Sequence, residues 1–248
     1  MTLLERAHDL LVADGDAQRR ADAFAAMLYA LAEAGQVQRA VEAAGELDRV
    51  GGVLDRNARA RLHTRLAWAA AVAGRSSDGL AQVATARRLL GPDAPADETA
   101  PVDVVAAHLA LDVAGPEQLV AAEALARRAA AVAEEVPLPV VACQTWQLLG
   151  ALRRSQDPAE ATACLERARR LAVRHDLPIE EIHALIRLGN DDALRDASLD
   201  RLEQVRLEAS RVGAVTTRYQ AEASLALQAI LRADFDKAEA LLDGVLAA

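Results

Sequence analysis

Apolar residues recur along this chain at spacings of three and four, in short runs broken by Gly, Pro or Asp. Leu3, Leu4, Ala7, Leu10 and Leu11 make one stripe. Phe24, Met27, Leu28 and Leu31 make the next, and Ala40, Val41, Ala44 and Leu47 a third. This is the helical period, and no run alternates in the manner of a half-buried strand. It predicts helices over roughly 3–13, 17–34, 36–49, 55–73, 77–90, 101–113, 116–135, a segment through Trp146, 158–174, 178–188, 199–211, 215–233 and from 235 through Leu246. Punctuation agrees with the pattern. Asp16, Asp55 and Asp157 stand at N-cap positions, and Glu160 completes a capping-box spacing with Asp157. Pro101, Pro116 and Pro178 fit first turns. Gly35 and Gly74 follow last turns. Gly189–Asp192 is expected to end the helix that starts at Pro178.

The breaks before alternate helices fall at Gly35, Gly74, Gly115, Ser155, Asp196 and Asp234, at intervals of 39, 41, 40, 41 and 38 residues. A period near forty marks a helical repeat, in which each unit buries its apolar stripe on its neighbour. The clearest copy is W-Q-L-L-G-A-L-R-R-S-Q-D-P-A-E-A-T-A-C-L-E-R-A, from Trp146 to Ala168. Trp146, Leu149 and Gly150, then Ala161, Leu165 and Ala168, resemble the tetratricopeptide pattern. The resemblance implies an all-α solenoid of about six helix pairs. The period persists across the Pro- and acid-rich stretch at 91–100, so that stretch reads as a flexible linker inside a single repeat domain over 1–248. Neither end of the pattern carries a polar capping helix. That fits dimerisation through the bare ends, or a segment of a longer array.

Composition supports helices packed closely. Ala accounts for 59 of 248 residues, whereas aromatics make up 2%. Ala is the strongest helix former and occupies little room at helix contacts. The net charge of −9 argues against direct nucleic-acid binding, which calls for a basic face. Lys237 is the sole lysine and lies in Phe-Asp-Lys-Ala, so the chain holds no P-loop. Cys143 and Cys164 form no ligand pair and read as small buried apolar residues in a reducing compartment. No leader and no long uncharged apolar run occurs, so the expectation is a soluble, cytoplasmic protein that does not enter membranes.

From Leu185 to Leu242 the resemblance narrows. The run L-G-N-D-D-A-L-R-D-A-S-L-D-R-L-E-Q-V-R-L-E-A-S-R-V-G-A, followed by A-E-A-S-L-A-L-Q-A-I-L-R-A-D-F-D-K-A-E-A-L-L-D, resembles the repeat region of large bacterial regulators of the LuxR type. It is similar as well to repeat regions of actinobacterial signalling ATPases and cyclases. In the LuxR-type family an ATPase domain precedes such a region and a helix-turn-helix follows it. Neither is recognisable here, so neither activity carries over. What the resemblance implies is a regulatory module for transcription that senses a protein partner or small effector, without catalysis and without a cofactor. A free-standing adaptor or dimerisation scaffold is the alternative.

Candidate contacts follow from the repeat. Tyr29, Trp68, Trp146 and Tyr219 all fall on first helices of pairs, which line the groove in tetratricopeptide-like arrays. Arg65, Arg153 and Arg218 lie beside them, and rigid aromatics with Arg are common recognition anchors. The competing reading is that the aromatics fill gaps between Ala-rich helices. Asp191, Asp192 and Asp196 form the one acidic cluster that suggests Mg²⁺. An enzyme built on them would need an aromatic-lined pocket that six aromatics do not supply, and helix capping is the simpler account. The histidines His8, His63, His108, His175 and His183 show no ligand spacing, and no nucleophile elbow occurs.

Overall fold

The computed structural model describes residues 17–36, 38–40, 42, 54–112 and 115–246. The helix expected over 3–13, and most of that over 36–49, lie outside the described residues. Eleven helices with defined ends occur among them, and no strand. They are α1 (Ala17–Glu33), α2 (Arg56–Val72), α3 (Ser76–Leu90), α4 (Ala96–Asp112), α5 (Pro116–Glu135), α6 (Pro139–Arg153), α7 (Pro158–Arg174), α8 (Pro178–Arg195), α9 (Asp200–Val212), α10 (Val215–Leu231) and α11 (Phe235–Leu246). The helices follow one another in pairs whose first members are α1, α2, α4, α6, α8 and α10, as the period requires. The chain divides into two compact units, Met1–Val141 and Ala142–Ala248.

In the first unit, Phe24, Met27, Leu28 and Leu31 of α1 pack on Leu62, Leu66 and Ala69 of α2. A second cluster joins Ala67 and Trp68 of α2, Val83 and Ala86 of α3, and Val102, Val105 and Leu109 of α4. In the second unit, Ile182, Leu185 and Ile186 of α8 meet Leu202, Val205 and Ala209 of α9 and Ala221 and Leu225 of α10. Each first helix supplies one leucine with less than 2% of its surface exposed: Leu28, Leu62, Leu109, Leu148, Leu188 and Leu225. Each such burial stabilises by about 1.5–3 kcal/mol. The second helices contribute mostly alanine to the buried interior, as at Ala86, Ala126, Ala168 and Ala209.

Small residues set the spacing between paired helices. A methyl group on Gly150 of α6 would stand 2.9 Å from Leu165 Cγ and 3.1 Å from the Ala161 carbonyl oxygen of α7. On Gly189 of α8 it would stand 3.0–3.1 Å from Leu202 Cδ2, Cγ and backbone N of α9. The Leu-Gly pairs 149–150 and 188–189 thus occupy the same structural place.

Two helix ends differ from expectation. Gly189 does not end α8, which continues to Arg195 with Asp196 as its C-cap. The glycine serves helix contact, and Arg154, Arg195 and Arg201 neutralise Asp191 and Asp192 so that helix continues through them. α4 begins at Ala96 and carries Pro101 inside it, so the expected linker at 91–100 contracts to the turn before Ala96. Asp97 and Glu98 stabilise that early first turn, and Glu98 reaches Arg61 of α2 at 3.0 Å. The capping at Asp55 and Asp157 is as the pattern requires: Asp55 accepts from Ala58 N–H, and Asp157 from Ala159 and Glu160 N–H.

Where first helices turn into second ones, Gly35 and Gly74 take φ of 72° and 68°, but Ala197 and Ala233 hold the same left-handed backbone at 57° and 58°. Left-handed backbone disfavours a Cβ by about 1–2 kcal/mol. Ala197→Gly and Ala233→Gly are therefore expected each to stabilise the protein by about 1 kcal/mol in urea unfolding, after the added freedom of glycine in the unfolded chain is set against the relief. Gly150→Ala is expected to destabilise it by about 1–3 kcal/mol in the same measurement, because neither the Ala161 carbonyl nor the Leu165 branch point yields without moving α7.

Candidate functional site

The candidate residues named from sequence fall into separate local clusters. In the first unit, the Arg65 guanidinium lies over the Tyr29 ring at 5.3 Å, and both are half-buried. Trp68 is 7% exposed; its indole N–H donates to Glu33 at 3.4 Å and its ring meets His108 edge-on at 5.1 Å. Trp68 is therefore a packing residue. In the second unit, Arg167 of α7 covers the Trp146 ring at 4.0 Å, so that aromatic faces a second helix. Arg153 turns the same way, toward Gln156 and Glu160. Arg218 lies over its neighbour Tyr219 at 4.7 Å and 3.8 Å from Glu222. Asp191 is 2.6 Å from Arg154, and Asp192 joins Arg195 and Arg201, while Asp196 is exposed. No group of three or more His, Cys, Asp or Glu arranged to hold a metal occurs among the described residues.

A polar seam that sequence reading passed over runs along α6, α8 and α10 of the second unit. Its centre is Glu180, in the first turn of α8 and 2% exposed. Gln144 Nε2 donates to Glu180 Oε1 at 3.0 Å. Gln147 Nε2 donates to Glu180 Oε2 at 3.1 Å and to the Glu180 carbonyl at 3.2 Å. One turn along, His183 Nδ1 lies 4.0 Å from Glu180 Oε2 and Nε2 lies 3.1 Å from the Thr217 hydroxyl of α10. The three first helices are thus tied through side chains that are buried or, at His183, half-buried, which restricts their rotamers.

The seam continues toward the C-terminal ends of α6 and α8. Arg187 lies one turn beyond His183, and Asn190 and Asp191 follow. Burial holds the Arg187 guanidinium below the usual arginine value. The charge of Arg154 adds to that shift, and Glu180 and Asp191 oppose it. The signal for this seam was present as polar residues at helical spacing inside apolar helices: Gln144 with Gln147, and Glu180, His183 and Arg187. It was masked because such residues near helix starts read as solvated faces.

Cys143 sits against the seam, fully buried, with its thiol donating weakly to the Ala168 carbonyl at 3.6 Å. Neither cysteine is joined in a disulfide. Burial first, then the negative charge of Glu180, pushes the Cys143 thiol up to about 12, which suppresses the reactive thiolate.

No family model and no curated protein matches the chain. Thirteen chains of solved structure do. One is aspartyl phosphate phosphatase F from Bacillus subtilis, 13% identical, with a TM-score of 0.55 over 96% of this chain and 73% of that one. The likeness is one of fold: this chain has a tetratricopeptide-like helical-repeat architecture. No described helix is long and apolar enough to cross a membrane.

The Cys143 environment makes stability depend on alkaline pH. Above the ordinary thiol value of 9.0 the unfolded chain releases this proton and the folded chain keeps it. The contribution is full below 9.0 and is lost as pH rises toward about 12. Cys143→Ala is expected to reduce the loss of stability between pH 8 and pH 10 by about 1 kcal/mol, read by urea unfolding at the two pH values.

Proposed function

We propose that this chain is a non-catalytic regulatory interaction module that receives a protein partner on the seam of α6, α8 and α10. The observation that carries the reading is the Gln144–Gln147–Glu180–His183–Thr217 network. It fixes α6, α8 and α10 relative to one another before any partner arrives, and a preordered receptor loses little entropy on binding. Flanking it, Arg218 and Tyr219 offer a cation and an aromatic ring for contact, and Tyr29 with Arg65 offers a similar pair in the first unit. The helical-repeat fold is compatible with a module of this kind, and the resemblance of Leu185–Leu242 to LuxR-type repeat regions supports a place in a transcriptional regulator. That finer assignment is tested by the reading frame: an ATPase motif upstream and a helix-turn-helix downstream support it, and their absence from the encoded protein would sink it.

A second reading concerns self-association. Leu227 and Leu231 of α10 and Phe235 of α11 are 55%, 66% and 64% exposed, and exposed apolar side chains so close in the chain are candidates for contact between copies. Light scattering at rising concentration reads this directly, and a monomer unaffected by Phe235→Asp excludes it.

The seam reading is tested with peptides selected on the full chain from a random display library. Ala151, on the same stripe of α6 as Gln144 and Gln147, is the blocking position. Ala151→Arg is expected to weaken the selected peptides at least tenfold with the melting temperature retained, whereas Val173→Asp on α7 leaves them unchanged. Peptides sensitive to Val173→Asp and indifferent to Ala151→Arg would place the receptor surface elsewhere.

A further inference from the structure

α8 turns one face to α6 and another to α10. Glu180 and Asp191 lie on the first, where they meet Gln144, Gln147 and Arg154 of α6. The second holds His183, Ile186, Asn190 and Ala193, at helical spacing. His183 reaches Thr217 of α10, and Ile186 and Ala193 share a core with Ala221 and Leu225 of α10. The repeat carries this second face onto α10. Leu188 and Leu225, the fully buried leucines of the two helices, stand 37 positions apart. In that register the face becomes Gln220, Ala223, Leu227 and Ile230, with Leu231 at its edge. On α8 it is covered: Ile186 and Ala193 are 7% and 6% exposed. On α10 it is open: Leu227, Ile230 and Leu231 are 55%, 44% and 66% exposed, and Gln220 and Ala223 are exposed as well. α10 thus presents to solvent, in apolar side chains, the surface on which α8 receives a helix.

We infer that a second copy of this chain covers that face, with α10 packed antiparallel on α10 about a two-fold axis at Leu227. The inner face of α10, with Thr217, Ala221 and Leu225, is already taken by α8, so a copy has the outer face to offer. That face complements itself in the antiparallel sense. Leu227 meets the same residue of its copy. Ala223, four positions before it, lies opposite Leu231, four positions after, so a small side chain faces a large one. Gln220, seven positions before, comes to the turn that holds Asp234, where an amide meets a carboxylate. Parallel packing would set Ala223 against Ala223 and bring the two Asp234 carboxylates together. A contact between identical patches closes at two copies and does not propagate. The inference rests on the self-association reading and adds which helix meets which, and in what sense.

The experiment is pairwise cysteine cross-linking in the full chain, with light scattering beside it. Cys143 and Cys164 are 0% and 6% exposed, so an introduced surface thiol is read without removing them. Under mild oxidation Leu227→Cys is expected to give a disulfide-linked dimer, whereas Leu207→Cys on α9, 63% exposed, stays monomeric. Ala223→Cys and Leu231→Cys are each expected to cross-link poorly alone and efficiently when the two variants are mixed, because those positions meet only in antiparallel packing. Leu227→Asp places two carboxylates on the axis and is expected to weaken dimerisation by about tenfold or more, with the melting temperature retained because the position is exposed in the single chain. A dimer that survives Leu227→Asp, or that cross-links as readily through Leu207→Cys, overturns the inference and leaves self-association standing on another surface. Cross-linking of Ala223→Cys and Leu231→Cys each to itself overturns the antiparallel geometry, and oligomers that keep growing with concentration overturn the closed two-fold contact. A wild-type chain that stays monomeric at its highest soluble concentration overturns both the inference and the self-association reading, and leaves the face to a helix of another protein.

Discussion

The fold depends on how closely two helix backbones approach within a pair. Gly150 against Leu165 and Ala161, and Gly189 against Leu202, leave no room for a methyl group. That approach seats the leucine of each first helix between neighbours whose own side chains are mostly alanine. With six aromatics in the chain, bulk cannot fill wide gaps, so the helices must close them. Alanine abundance is thus both a helix propensity and a spacing rule. It makes the architecture intolerant of added volume at the contact and tolerant of change on the outer faces.

Charge enters where helices of neighbouring pairs meet. Asp103 of α4 has 5% of its side chain exposed and holds Arg87 of α3 at 3.2 Å and Arg128 of α5 at 2.7 Å. The arginines keep 49% and 63% of their side chains exposed, so the cost of desolvation falls on one ion and not three. Arg61 with Glu98 and Arg201 with both Glu166 and Asp192 follow the same plan at partly exposed positions. Such pairs contribute modestly to stability. Their larger effect is on register, since each fixes which turn of one helix lies against which turn of the next.

The repeat was legible in the sequence because it is written many times over: apolar stripes at helical spacing, caps and breaks near every fortieth residue. The errors came where one residue type served a different purpose. Gly189 reads as a stop, yet it sits inside α8 because Leu202 needs the space. Pro101 reads as a start, yet α4 begins at Ala96, where the pairing of Glu98 with Arg61 rewards an earlier first turn. The candidate site was less legible. Aromatics on first helices were plausible contacts, but orientation around a helix shifts by about 100° per residue. Trp146 and Arg153 therefore face a second helix, and Gln147 and Arg154 face the seam. Burial of Glu180 beneath two glutamines is a property of three helices together, and no window of one helix contains it.

That shared property bears on why the seam is polar at all. Leu188 is fully buried, and Ile182, Leu185 and Ile186 belong to the apolar core, so the polar seam interrupts an otherwise apolar helix. The network around Glu180 is tolerated there because its donors and acceptors are matched within the chain, and it adds rigidity at little net cost. That network fixes three helices relative to one another, and the polarity of the seam is explained by the rigidity it confers.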